Sequence, residues 1–127
     1  MAGMTDYLEG KIRGHVLLGV AYTPPVAVYL ALFSDATGDD GTGTEATGGS
    51  YSRQAVTFAV GAGPGDAESD AAVTFANMPA GTWTHAALFD SAGGGNMLMH
   101  EPLGASKTTG TGDDLVVEAG DVSASFD

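Results

Sequence analysis

Residues 81–103 read GTWTHAALFDSAGGGNMLMHEPL and hold the one Trp and two of the three His of the chain. Two apolar runs, TWTHAALFD and NMLMHE, flank the Gly-rich stretch SAGGGN, which is the pattern of a β-hairpin. With Phe89 opposite Met97, Ala87 faces Met99, Ala86 faces His100 and His85 faces Glu101. Successive side chains on a strand alternate faces. His85 and His100 are therefore expected on opposite sides of the sheet, with His85 and Glu101 as a polar cross-strand pair. A shift by one residue would bring the two His together, but it would also flip one strand's apolar set. Ligands on opposite faces cannot share an ion, so no metal site is expected here. His15 adds no HExxH motif.

Outward from the hairpin, the two-residue period continues. VAVYLALF (residues 26–33) is rich in β-branched and aromatic residues. YSRQAVTFAV (residues 51–60) puts Val56, Phe58 and Val60 on one face and Arg53 and Thr57 on the other. AAVTFA (residues 71–76) points Val73 and Phe75 inward. The closing DLVVEAGDVSASFD alternates Val122, Ala124 and Phe126 against Ser123 and Ser125. Short strands between Gly-rich turns predict a mainly β domain, an antiparallel β-sandwich of jelly-roll-like type.

The N-terminal 20 residues read differently. Leu8, Ile12 and Val16 recur every fourth residue, Asp6 and Glu9 fit a capping box of Asp type, and Gly19 is a C′ stop. A helix over residues 6–18 is expected. Gly10 and Gly14 weaken it by about 1 kcal/mol each relative to Ala, so it needs a surface to dock on. That surface is either the domain's open edge or a neighbouring subunit.

Two polar connections remain: residues 35–50, read as a long flexible loop, and residues 61–70. Neither is expected to contribute a core, and loops of this length are functional or mobile. The whole, residues 1–127, fits one domain with one core.

Charge and composition narrow the function. Four Lys+Arg against sixteen Asp+Glu give a net charge of −12, which repels nucleic acid and anionic lipid. There is no Cys, hence no disulfide or thiolate site. Residues 1–6 lack a basic segment followed by an apolar run, so no signal peptide is expected. The apolar stretch over residues 16–33 is divided by Pro24-Pro25, and neither half approaches the roughly 20 residues a membrane-spanning helix needs.

No catalytic pattern emerges. The loop acids Asp35, Asp39, Asp40 and Glu45 miss the EF-hand spacing, which leaves only an irregular calcium site to consider, with Asp113-Asp114 carrying the same weak signal. GAGPGDAE precedes a strand and lacks a following Lys-Ser/Thr, so it is no phosphate loop. There is no GxSxG elbow, and the paired carboxylates sit in loops without apolar walls to raise a pKa. No enzyme, cofactor or metal is expected.

A longer pattern adds to this reading. DYLEGKIRGHVLLGVAYTPPVAVYLALFSD, TGTEATGGSYSRQAVTF, AAVTFANMPAGTWTHAALFDSAGGGNMLMHEPL and GDDLVVEAGDVSASFD together resemble a family of small phage virion proteins usually labelled tail fibre proteins. The chain also resembles the head-spike base of phage-like gene transfer agents. The points of likeness are Tyr22-Thr23-Pro24, residues 29–33, the segment from Glu45 to Phe58, Thr84-His85 and the turn Gly94 to Asn96. The resemblance implies a structural virion component, made in the bacterial cytoplasm. A ring at the capsid vertex that carries a spike or fibre is the favoured form, since a small β-domain in a symmetric particle closes into a trimer or pentamer. The implied partners are further copies of the chain, the major capsid protein and a spike or fibre protein, with neither nucleic acid nor membrane. Interface candidates are Leu8, Ile12, Val16, Tyr22 and Trp83. The alternatives are a tail fibre or baseplate component, or a glycan-binding module using Tyr7, Tyr22, Tyr51 and Trp83.

Overall fold

Every paired strand in the computed structural model, which describes residues 3–126, runs antiparallel to its neighbour. In chain order these are β1 (Gly3–Met4), β2 (Val28–Phe33), β3 (Gln54–Val56), β4 (Phe58–Val60), β5 (Asp66–Ser69), β6 (Val73–Phe75), β7 (Gly81–Phe89), β8 (Met97–Thr109), β9 (Leu115–Val117) and β10 (Ser123–Ser125). The helix α1 (Asp6–Leu17) lies between β1 and β2. A five-stranded sheet has the order β1-β8-β7-β2-β3, a three-stranded sheet β10-β5-β4, and a two-stranded sheet pairs β6 with β9. Leu30, Leu32, Ala86, Leu88 and Met99 of the large sheet pack in one cluster with Val56, Phe75, Leu115, Val122 and Ala124. This is the sandwich-like, mainly β architecture that the period-two patterning predicts, with one helix near the N-terminus.

The hairpin pairs Phe89 with Met97 as expected, but the register then shifts: Leu88 pairs with Met99, Ala87 with His100, Ala86 with Glu101 and His85 with Pro102. Leu98 is the extra residue of a β-bulge. The bulge absorbs the one-residue slip without exposing apolar surface, because Met97, Leu98 and Met99 are all buried. Met97 joins Ala31, Phe33, Ala87 and Phe89 on the outer face of the sheet, and Met99 joins the main core. His85 and His100 therefore share a face, and His85 does not oppose Glu101. The expected opposite facing is corrected by this bulge. A second irregularity lies between Trp83 and His85, where Pro102 has no N–H to continue the ladder.

Other boundaries also move. The chain crosses between sheets at Thr57, so residues 51–60 form two strands, and Val60 is 90% exposed instead of buried beside Val56. The stretch 61–70, read as a loop, contains β5, whose Ala67 and Ser69 point toward the core between β4 and β10. The C-terminal stretch forms β9 and β10, with Val122 and Ala124 buried as their alternation predicts and Phe126 45% exposed.

The N-terminal 20 residues hold a two-residue strand before the helix, and the cap is Thr5, not Asp6. The Thr5 hydroxyl accepts from the Leu8 N–H at 3.3 Å and donates to the Met97 carbonyl at 2.6 Å. Thr5 can play both parts because a hydroxyl is donor and acceptor, whereas the Asp carboxylate only accepts. At the other end, Leu18 and Val20 both donate to the Gly14 carbonyl and Gly19 turns at φ +70°, the expected glycine stop.

The loop over residues 35–50 is held down at named points. Glu45 bridges to Phe33, and the Asp39 carbonyl accepts from the Asp6 N–H at 2.8 Å. Gly43, at φ +140°, lies over the Phe33 ring so closely that a Cβ there would sit 2.8 Å from Phe33 Cδ2. The loop thus covers the outer apolar cluster, which the sequence reading left without a lid.

Candidate assembly surface

The residues that first suggested chemistry are absorbed by local bonds. His100 Nε2 meets Asp39 Oδ1 at 2.8 Å and its Nδ1 meets Thr37 Oγ1 at 2.7 Å. A carboxylate only accepts, so the Nε2 N–H donates to Asp39. His85 Nδ1 is 2.9 Å from Thr84 Oγ1. The two His share a face, yet each is engaged by its own partner.

The loop acids are likewise occupied. Asp35 accepts from the Thr44 N–H and hydroxyl, both at 2.7 Å, and these bonds, the hydroxyl first, hold its carboxyl below the ordinary value. Asp40 is lowered in the same way by Thr42. Among the described residues, Asp6, Glu9 and Asp39 bring carboxylate oxygens within 4.8 Å of one another, all exposed. They stand at the N-terminus of α1, where the helix dipole favours anions.

Glu45 holds the strongest polar contact. It accepts from Arg53 Nε and Nη2, both at 2.9 Å, and from the Tyr51 hydroxyl at 2.8 Å. Tyr51 stacks on Phe75 at 5.8 Å between centroids, and burial pushes its phenol well above the usual range. Sequence patterning alone missed this trio; its signal was the segment from Glu45 to Phe58 that carries the family likeness.

The interface candidates separate into three groups. Leu8 (7% exposed) and Trp83 (4%) belong to the protein's own core, and the Trp83 indole N–H donates to Thr109 Oγ1 at 3.0 Å. Ile12 and Tyr22 pack half-buried against that core. Val16 is 68% exposed, and Leu17, Leu18 and Val20 beside it are 75%, 67% and 59% exposed. The stripe on α1 is therefore covered by the domain for its first two turns and bare at its end. Of the four aromatic residues considered for glycan contact, Trp83 is buried, while Tyr7, Tyr22 and Tyr51 are half-buried.

Beside the bare end runs a groove of about 350 Å³ between α1 and the three-stranded sheet, lined by Ile12, Tyr22, Val28, Phe58 and Phe126 among others and presenting only apolar atoms. Burial and the nearby Tyr7 and Asp90 raise the Tyr22 phenol, so its hydroxyl stays neutral. Val60 and Val26 add further exposed apolar surface. The sequence reading put Val56, Phe58 and Val60 on one face; the crossing at Thr57 moves Phe58 and Val60 to the three-stranded sheet, where Phe58 still packs against the main core and Val60 is exposed.

Charge is unevenly distributed. Two of the four Lys+Arg, Lys11 and Arg13, stand on α1. Arg53 is spent on Glu45. No helix among the described residues is long and apolar enough to cross a membrane.

A search of curated proteins gave no match. Residues 3–125 match the family described as Podophage GP4 fiber I protein gp80. That match spans nearly the whole described chain, helix and all three sheets together, and the chain belongs to this family of phage fibre proteins.

Proposed function

We propose that this protein is a structural component of a tailed-phage or phage-like particle, forming a small symmetric ring that attaches a spike or fibre to the capsid vertex. The carrying observation is the bare apolar end of α1 beside an apolar groove on an otherwise acidic domain. Contiguous exposed apolar surface of this kind marks an interaction site. The family match supports a place in the virion, and the resemblance to the head-spike base of gene transfer agents supports the capsid side. The partners in this reading are further copies of the chain, as a trimer or pentamer, the major capsid protein and a spike or fibre protein. No enzymatic step belongs to it. The word fiber in the family description favours a second reading, a tail fibre or baseplate component.

Gold labelling of an epitope-tagged copy on purified particles tests the assignment. Label at capsid vertices, with loss of the vertex fibre when the gene is deleted, is the expected result. Label confined to the tail selects the second reading, and unlabelled particles with intact fibres overturn both.

A further inference from the structure

We propose that Asp40–Gly41 is a site of spontaneous backbone isomerisation, and that the turn around it, through Thr42 and Gly38, holds the reaction off in the folded chain. The proposal is independent of the ring reading. An Asp followed by Gly is prone to this rearrangement because no Cβ hinders ring closure. The Gly41 nitrogen loses its proton and attacks Asp40 Cγ, water leaves, and a succinimide ring forms. Water then adds back to either ring carbonyl. Opening at the former Asp40 backbone carbonyl leaves the chain running through Cγ. The product is an isoaspartate of unchanged composition, with one more methylene in the backbone.

The turn restrains both reacting groups, although Asp40 and Gly41 are exposed. Gly41 donates its N–H to the Gly38 carbonyl at 2.9 Å, and Gly38 donates its own to the Thr42 carbonyl at 3.0 Å. The Gly41 nitrogen therefore gives up its proton only when the turn opens. Asp40 Oδ1 accepts from the Thr42 hydroxyl at 2.6 Å and from the Thr42 N–H at 3.3 Å. These bonds favour the ionised carboxyl, whereas water departs only from the neutral acid. Gly41 turns at φ +83°, which a side chain there would strain, so the turn keeps the vulnerable pair and guards it. Gly38 fits closely against the guarding bond: a Cβ there would lie 2.7 Å from Asp40 Oδ1 and 2.8 Å from Thr42 Oγ1. The neighbouring bonds make the reaction consequential. Asp39 takes the Asp6 N–H on its carbonyl and the His100 ring on its carboxylate, both at 2.8 Å. A methylene added beside Asp39 displaces the covering loop from α1 and β8. A phage fibre protein is not resynthesised once the particle has left the cell, so the product accumulates.

The test ages the purified full chain at neutral pH and reads isoaspartate at residue 40 by peptide mapping with isoaspartyl methyltransferase labelling. Wild type, folded and in urea, is compared with T42V, T42S, G38A and D40E, with circular dichroism confirming that each variant is folded. Folded wild type is expected to react about tenfold or more slower than the chain in urea, because reaction needs local opening. T42V removes the hydroxyl and should react about three- to tenfold faster than wild type, the factor that one lost hydrogen bond contributes to opening. G38A should act in the same direction, since its Cβ wedges Asp40 from Thr42 while both polar groups remain. T42S keeps the hydroxyl and should match wild type. D40E should give no isoaspartate at this position. Folded wild type that reacts as fast as the chain in urea overturns the proposal. T42V and G38A that age at the wild-type rate, or T42S that ages as fast as T42V, overturn it as well.

Discussion

Arg53 grips Glu45 with two parallel N–H···O bonds, both 2.9 Å, while its guanidinium lies over the Phe89 ring at 3.5 Å from the centroid. Its remaining nitrogen, Nη1, donates to the carbonyls of Ser91 at 3.0 Å and Gly94 at 2.7 Å. One side chain thereby joins the covering loop, the start of β3 and the β7–β8 turn. Removing one partner of such a pair leaves the other charge unpaired in a desolvated place. Arg53→Ala should cost roughly 3 kcal/mol, the low end for a buried pair because Glu45 keeps 25% of its side chain exposed. Arg53→Lys should recover less than half, since Lys lacks the planar fork. Equilibrium urea unfolding of the monomer checks both; an R53K variant as stable as wild type would show that charge alone suffices.

Trp83 and Thr109 provide a second test. Thr109 Oγ1 accepts from the indole and donates to the Pro79 carbonyl at 2.7 Å. Thr109→Ser keeps both bonds and should be nearly neutral. Thr109→Val leaves the buried indole N–H unpaired and should cost about 1–3 kcal/mol. Equal stabilities of the two variants in thermal unfolding would contradict the assigned bond.

The covering loop should loosen in acid. Asp35 has its carboxyl held below the ordinary 3.8 by Thr44. A carboxyl depressed in the folded state adds stability above its unfolded pKa and loses it as pH falls through the folded value. The loop is therefore expected to hold fully above about pH 4 and to loosen below it. Asp35→Asn should remove that dependence. Amide exchange at Thr44 followed against pH measures it; exchange protection in Asp35→Asn with the same acid profile as wild type would assign the effect elsewhere.

How far the sequence reaches depends on what each element answers to. Strand existence follows local period, and β2, β6 and β7 lie where alternation placed them. Register follows from packing on both faces at once. Leu98 can bulge because the large sheet has a second apolar cluster of Ala31, Phe33, Ala87, Phe89 and Met97 to satisfy, and no pattern in 81–103 alone reveals that cluster. The change of sheet at Thr57 was hidden for a similar reason, since Val56, Phe58 and Val60 keep one period across two sheets. At the helix start, Asp6 looked like the cap, but Thr5 sits 1% exposed against β8 and needs a group that both donates and accepts. The family-like segments are legible as structure: Glu45, Tyr51 and Arg53 form a half-buried network, and Asn96 closes the turn on Asp90 with bonds of 2.7 and 3.0 Å. The candidate assembly surface is half legible. The stripe Leu8, Ile12 and Val16 was clear, but where the domain stops covering it depends on the position of β8 and β10.

The two ends of that stripe should respond differently. Leu8 is buried, and Leu8→Ser should lower monomer stability by roughly 2–4 kcal/mol through lost burial and the cavity left behind. Leu17→Ser should leave monomer stability within about 0.5 kcal/mol, as exposed substitutions do. A Leu17→Ser monomer that unfolds as readily as Leu8→Ser would mean that the end of α1 is packed within its own chain.

The most direct measurement is a reconstruction of the intact particle at a resolution that traces this chain. The expected result is a closed ring of identical copies at the capsid vertex beneath a spike or fibre. Isolated copies, or copies placed with no fibre above and no neighbour against α1, would contradict it.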